Sequence, residues 1–377
     1  MQQKLNILFL PYWLPSKNNP KNGNFILRHA EAIATLHNIT ILYVERDDTL
    51  LEKFKINIDK NHNLLIIKIY YKGHSYKVIN YWKKFRAYTK GLGLIKNIDL
   101  IHIHVLYYYA FLALYFKIIK NINFVVTEHW TRWITKDNSL SRKFYCKMMN
   151  IVCSQASYIL PVSENLADSM KMQGIKGKYK IIPNVVNTQV FKPTYNKPEK
   201  NIFLHISNLV DDHKNITGIL NVSKKLAESG YKFILKIGGD GDNTMIKEFI
   251  KNNKLKNYIS TFGPLTENEV SYKMRNADML VMFSNKENQP CVINEAFSCG
   301  LPVISTNVGG ITEFFPKNFG IIIEKGNEND LYEAMAKCIN GKVEFAKPKD
   351  MHQYAVNHFS IQIIAKELEK VYSKVLQ

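Results

Sequence analysis

Two glutamates eight residues apart, Glu287 and Glu295, stand in the segment ENQPCVINEAFSCGLPVISTNVGGITEF, residues 287–314. Pro290 suits the first part of a helix, because its ring presets φ and its missing N–H has no intrahelical partner to lose. Cys291, Val292 and Ile293 then lie near a helix N-terminus, where backbone N–H groups and the helix dipole make a cradle for a diphosphate. Glu295, one turn further in, is placed to accept hydrogen bonds from a ribose diol. Glu287, in the preceding loop with Asn288 and Gln289, is placed to reach a sugar. Without their neighbours the two glutamates read as solvated surface charges. The Gly-Leu-Pro-Val turn into a strand, then Gly309-Gly310 and Glu313, argue for a built site.

Other chemistry-bearing residues are more scattered. Lys214 follows His213 at a helix start and supplies a cation for phosphate or a plain surface charge. His129 ends a strand in VTEHW, a position equally open to a satisfied structural histidine. GGDGD, residues 238–242, lacks the GxGxxG spacing, and Asp240 and Asp242 repel phosphate; it reads as a strand-end turn near a nucleotide. Asp240-Gly241-Asp242 has only the spelling of a metal-binding DxD. The run Tyr107-Tyr108-Tyr109 reads as packing, with acceptor contact as the alternative.

These residues need a scaffold, and both halves read as alternating strands and helices, the pattern of parallel sheets covered by helices. Apolar runs predict strands at 4–12, 38–45, 64–71, 100–105, 123–129 and near 158, with helices at 24–37, 78–95 and 107–120. Ser163 is a predicted helix cap with Glu164 in the first turn. FKPTYNKPEK, 191–200, holds two prolines and little that is apolar, and is the predicted linker. A second set of strands follows at 201–207, 231–239, 258–263, 279–284, 302–307 and 319–324, with a helix at 215–229. A last helical stretch from about 360 to 375 spaces Ile364, Leu368, Val371 and Val375 along one face. The domains expected are 1–190, joined by the helix 360–377, and 201–359. In doubly wound sheets ligands bind at the carboxyl ends of the strands, so a cleft between the two domains is the expected site.

At 377 residues the chain is too long for one ordinary core, and its 46% hydrophobic content suits packed interiors. The five cysteines are odd in number and widely spaced, with no CxxC, as expected of buried thiols in a reducing compartment. No uncharged apolar run reaches the length of a membrane-spanning helix, and the N-terminal apolar run, broken by Pro11, reads as a buried strand. A cytoplasmic protein, peripheral on the inner face of the membrane, is the expectation. The net charge of +19 is lopsided: residues 1–190 carry 27 Lys and Arg against 11 Asp and Glu, and 191–377 carry 24 against 21. The first half therefore suits an anionic partner, a membrane surface or a phosphorylated acceptor, or else reflects a Lys-, Asn- and Ile-rich composition. No nucleic-acid-binding motif accompanies the charge. Lys83, Lys84, Arg86 and Lys90 interleave with Tyr81, Trp82, Phe85 and Tyr88 on a predicted helix, a pattern suited to an anionic lipid interface.

The 287–314 segment resembles the E-x7-E region of family 4 glycosyltransferases, the large retaining group with the GT-B fold. The resemblance runs along the whole chain. Pro15 and the Gly23, Phe25, His29 pattern resemble the family's first loop and helix, and VTEHW places His129 where the family often carries a functional histidine. IIPNVVNTQVFKP, 181–193, resembles the domain-crossing segment, with Asn184, Val186 and Phe191 in place. HISNLVDDHKN, 205–215, resembles the phosphate-binding turn, with Lys214 at the lysine position.

The resemblance implies two Rossmann-like domains facing a central cleft, with the last helix returning to the first domain. It implies a donor nucleotide sugar, most commonly carried on uridine diphosphate, no cofactor and no metal. Lys214 would hold the diphosphate, Glu295 the ribose, and Glu287 with the backbone of Asn288, Gln289, Pro290, Cys291 and Val292 the donor sugar. Gly23 would let a loop approach the phosphates, His129 would meet the sugar near the reacting carbon, and Phe262 and Gly263 would line the base pocket. Retention would follow from front-face attack, with transfer to a glycan, lipid-linked acceptor in cell-surface polysaccharide assembly. Asn208 departs from the family, which commonly has Arg there, so one cation on the leaving group is missing. Val185 and Asn187 also replace the usual Gly and Asp. A non-catalytic scaffold on the same fold and a sugar-nucleotide epimerase are the alternatives.

Overall fold

The structure, a computed structural model, describes residues 4–135, 137–194 and 201–377. The chain divides into two compact units, Met1–Val185 with Ile361–Gln377, and Val186–Ser360. The first unit contains β1 (Asn6–Pro11), β2 (Asn38–Arg46), β3 (Phe54–Asn61), β4 (Leu64–Tyr71), β5 (Leu100–His104), β6 (Phe124–Glu128) and β7 (Tyr158–Pro161). They form one sheet in the order β3-β4-β2-β1-β5-β6-β7. Every pair is parallel except β3 with β4. Central β5 and β6 are buried at every residue, as strands covered on both faces must be.

The antiparallel edge strand β3 has no counterpart in the sequence reading. Its sequence, FKINIDKN, is exposed along almost its whole length, so its apolar alternation is thin. Lysines and an aspartate on an edge discourage pairing with another chain.

Helices α1 (Asn24–Ala34), α2 (Lys77–Leu92), α3 (Phe111–Lys120), α4 (Leu140–Gln155) and α5 (Glu164–Met172) cover this sheet. Ser163 caps α5 as expected, accepting the Leu166 N–H at 3.1 Å. Helix α2 ends three residues before the predicted limit, and α3 begins only at Phe111 because Tyr108–Ala110 is a single 3-10 turn.

The last helix, Ile361–Leu376, belongs to this first unit. Ile364, Leu368 and Val371 join Ile7, Phe9, Ile33 and Ile39 in one core cluster. Burying an aliphatic side chain of this size stabilises by about 1.5–3 kcal/mol. Polar ties reinforce the packing: Tyr372 Oη lies 2.7 Å from His102 Nδ1, and Glu369 pairs with His37.

The second unit contains β8 (Ile202–Ser207), β9 (Ile234–Gly239), β10 (Ile259–Phe262), β11 (Met279–Met282), β12 (Val303–Thr306) and β13 (Gly320–Ile323). Their order is β10-β9-β8-β11-β12-β13, parallel throughout. Helices α6 (Asp211–Lys214), α7 (Ile216–Glu228), α8 (Thr244–Asn252), α9 (Glu267–Arg275) and α10 (Cys291–Ser298) lie between them, and α11 (Glu328–Ile339) and α12 (Pro348–Phe359) follow β13.

The passage between units differs from the predicted linker at 191–200. It falls between Val185 and Val186, and Phe191 is already fully buried in the second unit, its carbonyl accepting the Ser298 hydroxyl at 2.5 Å. The rest of the proposed linker, from 195 to 200, lies outside the described residues.

In each sheet the strand order reverses once, between β1 and β5 in the first and between β8 and β11 in the second. At such a reversal the connections leave in opposite directions, and a crevice opens beyond the carboxyl ends of the two strands.

Candidate functional site

In the second unit, the predicted donor residues gather at that reversal. The loop after β8 carries Asn208 and Lys214, and the loop after β11 carries Glu287, Asn288 and Gln289. Lys214 ends the four-residue turn of α6 and pairs its ammonium with Glu287 Oε1. The side chains are 15% and 8% exposed, so this pair is largely withdrawn from water. Ser284 Oγ donates to the same carboxylate oxygen at 2.8 Å, and the Ser284 carbonyl accepts Thr306 Oγ1 at 2.7 Å.

Three further bonds tie the two loops. Asn285 N–H donates to the His213 carbonyl at 2.7 Å, Asn285 Nδ2 to the Asp212 carbonyl at 3.3 Å, and Lys286 pairs with Asp212 at 2.8 Å. Lys214 is thereby fixed by backbone on both sides. An ammonium has three N–H groups. Glu287 takes one and holds the nitrogen where the others can meet an anion.

Beneath the turn lies His205, buried in β8. Its Nδ1 is 2.8 Å from the Val281 carbonyl, an acceptor only, so Nδ1 carries the proton. Nε2 then accepts from Ser207 Oγ at 2.8 Å, and Ser207 Oγ accepts the Leu209 N–H at 3.1 Å. Burial lowers the His205 pKa to about 4, which keeps the ring neutral and this relay intact at pH 7.

Helix α10 begins after Pro290 with no side-chain cap, and its Ile293 N–H donates to the Pro290 carbonyl at 3.2 Å. Asn288, Gln289 and Glu295 are each buried to below a tenth of their surface. Asn294 Nδ2 is buried and has no acceptor among the described residues. Such a density of buried polar groups is costly unless something hydrogen-bonds them.

The glycines after this segment have a steric task. Gly309 has φ 58°, and a Cβ there would sit 1.8 Å from the Glu287 carbonyl oxygen. Gly310 N–H donates to the Asn288 carbonyl at 2.9 Å. The Gly-Gly pair therefore clamps the loop carrying Glu287 and Asn288.

Phe262 ends β10, with the Lys273 ammonium 4.3 Å from its ring centre, and Gly263 follows in open space. Asn208 is exposed in the turn after β8. In GGDGD, Asp242 accepts Thr244 N–H at 2.9 Å and Thr244 Oγ1 at 2.6 Å, so its carboxylate opens α8.

In the first unit, His129 follows β6 and His104 ends β5. Their rings meet at 3.4 Å between Nδ1 of His104 and Nε2 of His129. His29, from α1, sets its ring tilted against both of theirs and donates from Nε2 to the Pro183 carbonyl at 3.0 Å. Asn184 hydrogen-bonds the His129 ring. Ligand atoms of the three histidines lie within 4.8 Å of one another. Burial pushes the pKa of His104 and His129 well below the usual range and that of His29 to about 4. His129 is thus a neutral imidazole at pH 7, suited to hydrogen-bonding a hydroxyl.

The loops around it are unusually constrained. Val105, a β-branched residue, has φ 70°, which costs about 1–3 kcal/mol and persists only when its surroundings dictate it. Tyr109 Oη donates to the His104 and Val105 carbonyls. Buried Glu128 accepts N–H bonds from Leu106 and Trp130 at 2.9 Å and from His129 at 2.8 Å. Sequence reasoning singled out neither Glu128 nor His104; the histidines in LIHIH and the acid beside His129 were the available signals. Gly23 caps α1 with φ 77°, and a Cβ there would meet the Trp13 backbone at 2.5 Å, so close packing within this unit already requires glycine.

The family model for group 1 glycosyl transferases matches residues 187–358, and that for glycosyltransferase family 4 matches residues 23–190. An uncharacterized glycosyltransferase of Methanocaldococcus jannaschii is 26% identical over 340 residues, 89% of this chain and 90% of that protein. A phosphatidylinositol N-acetylglucosaminyltransferase subunit from Arabidopsis thaliana is 28% identical over 200 residues, 52% of this chain and 44% of its own length. Among solved structures, Anabaena HepE in complex with UDP superposes with a TM-score of 0.74 at 16% identity, covering 98% of this chain and 100% of that one. The likeness establishes the GT-B fold, two Rossmann-like α/β domains. With matches to both family models running from residue 23 to residue 358, the chain belongs to the group 1, family 4 glycosyltransferases.

Proposed function

We propose that the chain transfers a sugar from a uridine-diphosphate donor to a lipid-linked acceptor with retention of configuration and without a metal, at the inner face of the membrane. The observation that carries this reading is the Lys214–Glu287 pair, held at the β8/β11 reversal with the start of α10 in the same loop system. Lys214 and the α10 N–H groups supply positive field to a diphosphate. Donors of this kind aimed at a leaving oxyanion are each worth about 2–4 kcal/mol in the transition state. Glu287 receives sugar hydroxyls, and Glu295 receives the ribose diol.

In the transfer step the acceptor oxygen forms a bond to the anomeric carbon. The bond from that carbon to the β-phosphate oxygen breaks, and its electron pair stays on UDP. The acceptor proton passes to a phosphate oxygen on the same face. Neutral His129 hydrogen-bonds the sugar. Phe262 and Gly263 border the base, and Gly23 brings backbone near the phosphates.

UDP in HepE and the N-acetylglucosaminyl and phosphatidylinositol terms in the plant relative's name support a UDP-sugar and a phospholipid-type acceptor. Helix α2 supports membrane contact: Tyr81, Trp82 and Phe85 are exposed beside exposed Arg86 and Lys90, with Lys83 and Lys84 half-buried, while Tyr88 turns into the core. Each basic residue at an anionic surface adds about 1 kcal/mol. Among the described residues no helix is long and apolar enough to cross a membrane.

The test is a thermal-shift and turnover screen against UDP-N-acetylglucosamine, UDP-glucose and UDP-galactose, since a bound ligand raises apparent stability by mass action. A shift with slow release of UDP is expected for one of them. Neither binding nor turnover with any nucleotide sugar would leave the non-catalytic scaffold reading in its place.

A further inference from the structure

Helices α2 and α3 flank a cavity of about 470 Å³ in the first unit, within the size range of small-molecule sites. Its wall is aromatic and aliphatic: Phe85, Tyr88, Phe111, Leu112 and Tyr115 face it, and Lys84 enters at one side. A second cavity of about 260 Å³ shares Tyr81, Lys84 and Tyr107 with the first and adds Arg46 and Lys77. An apolar chamber and a cationic one thus meet across a common wall.

No Asp or Glu lines either chamber among the described residues. Arg46 is paired with Asp48 at 2.7 Å, which leaves Lys77 and Lys84 to set the sign of the field. The Lys84 ammonium lies 5.9 Å from the Tyr107 ring centre. Burial lowers its pKa, and an anion at its side would offset that cost. The apolar surface continues outward over Val78, Tyr81 and Trp82 on α2. Contiguous exposed apolar surface of this kind marks an interaction site.

We propose that the α2–α3 cavity holds the hydrocarbon chain of a phosphate-bearing lipid, with its phosphate against Lys84 and Lys77 in the adjoining chamber. This assignment rests on the glycosyltransferase reading above and makes that lipid the anchor of the acceptor. The chemistry selects both halves of the amphiphile. Each methylene withdrawn from water contributes about 0.8 kcal/mol, and the two lysines select an anionic head over a neutral one. A peptide fits less well: its backbone donors and acceptors need partners, whereas most of the surface lining the larger chamber is apolar.

The experiment is calorimetric titration of the full chain with decyl phosphate, decyl maltoside and inorganic phosphate, each below its micellar concentration, with UDP titrated in parallel. Decyl phosphate should saturate one site and bind at least tenfold more tightly than either of the others. Leu112→Trp, which fills the apolar chamber, and Lys84→Gln, which removes a head contact, should each weaken it tenfold or more. Both variants should bind UDP as the wild type does, which also verifies that they fold. Equal affinity for decyl maltoside, or full affinity in Leu112→Trp, overturns the assignment. Decyl phosphate binding without any nucleotide-sugar binding sinks the donor reading and leaves the lipid site standing; the reverse pattern sinks the lipid site alone.

Discussion

The substitution Glu287→Gln separates two consequences of the buried pair with Lys214. It keeps the shape of the side chain and the hydrogen bond from Ser284, but removes the charge facing the ammonium. Breaking a buried ion pair by neutralising one partner costs about 3–5 kcal/mol. Lys214 remains 15% exposed and keeps some hydration, so a loss discounted below that range, about 2–3 kcal/mol, is the expectation for the second unit. Adding Lys214→Met should recover at least 1 kcal/mol, because the orphaned ammonium is then gone. Tryptophans 13, 82, 130 and 133 all lie in the first unit, so fluorescence follows that unit. Far-UV circular dichroism during urea unfolding follows both, and the second unit is read by difference. Ligand binding gives the second readout. Without the carboxylate, Lys214 meets a diphosphate unopposed, so UDP should bind as well or more tightly. The UDP-sugar should bind at least tenfold more weakly, having lost a contact to sugar hydroxyls. Stability within 0.5 kcal/mol of wild type, or equal losses for UDP and UDP-sugar, would refute the reasoning.

Gly309→Ala would set a Cβ 1.8 Å from the Glu287 carbonyl at φ 58°; a loss of about 1–3 kcal/mol is expected, with a larger relative loss of UDP-sugar affinity by calorimetry. Glu295→Gln should leave the unfolding midpoint near wild type and weaken UDP at least tenfold; unchanged affinity removes the ribose assignment. Acid should destabilise both units. Unfolded histidines take up protons below about pH 6.5, whereas His29 and His205 resist until about pH 4. Their contribution is therefore fully present above pH 6.5 and falls through that window, by about 2 kcal/mol each at pH 5. Urea midpoints flat from pH 7 to pH 4.5 would contradict it. Turnover should survive EDTA, since lysine and helix N–H groups carry the positive field; loss restored by manganese would require a metal.

Much of the fold was legible because parallel strands buried on both faces are written as nearly unbroken apolar runs, as in NILFLP, LIHIH and FVVTE. Edge strand β3 was not, since exposure on both sides removes the pressure for apolar residues. Helix α4 also passed unnoticed. The placement of Glu287 before, and Glu295 within, the helix that follows Pro290 was readable from helix-start chemistry, whereas Asn288 was marked only by the family resemblance. The Lys214–Glu287 pair was not, because residues 73 apart meet only when β8 and β11 become neighbours. The same holds for the left-handed Val105: no residue type announces that a valine will be forced there by Tyr109 and Glu128. The unit boundary at Val185-Val186 carries no turn-forming residue that would mark it, and Phe191, the first residue of the predicted linker, is core.

The last helix carries a consequence for biosynthesis. Its sixteen residues, Ile361–Leu376, complete a core whose first strand is Asn6–Pro11, so the two meet across almost the whole length of the polypeptide. While the ribosome is still adding residues 186–360, the first unit waits with Ile7, Phe9 and Ile39 uncovered and His102 lacking its tyrosine partner. The second unit, being continuous, can close first. N-terminal domains ordinarily fold ahead of those that follow; here the first unit cannot complete its core until the last helix has been made. The apolar surface left open during elongation is where a chaperone would be needed.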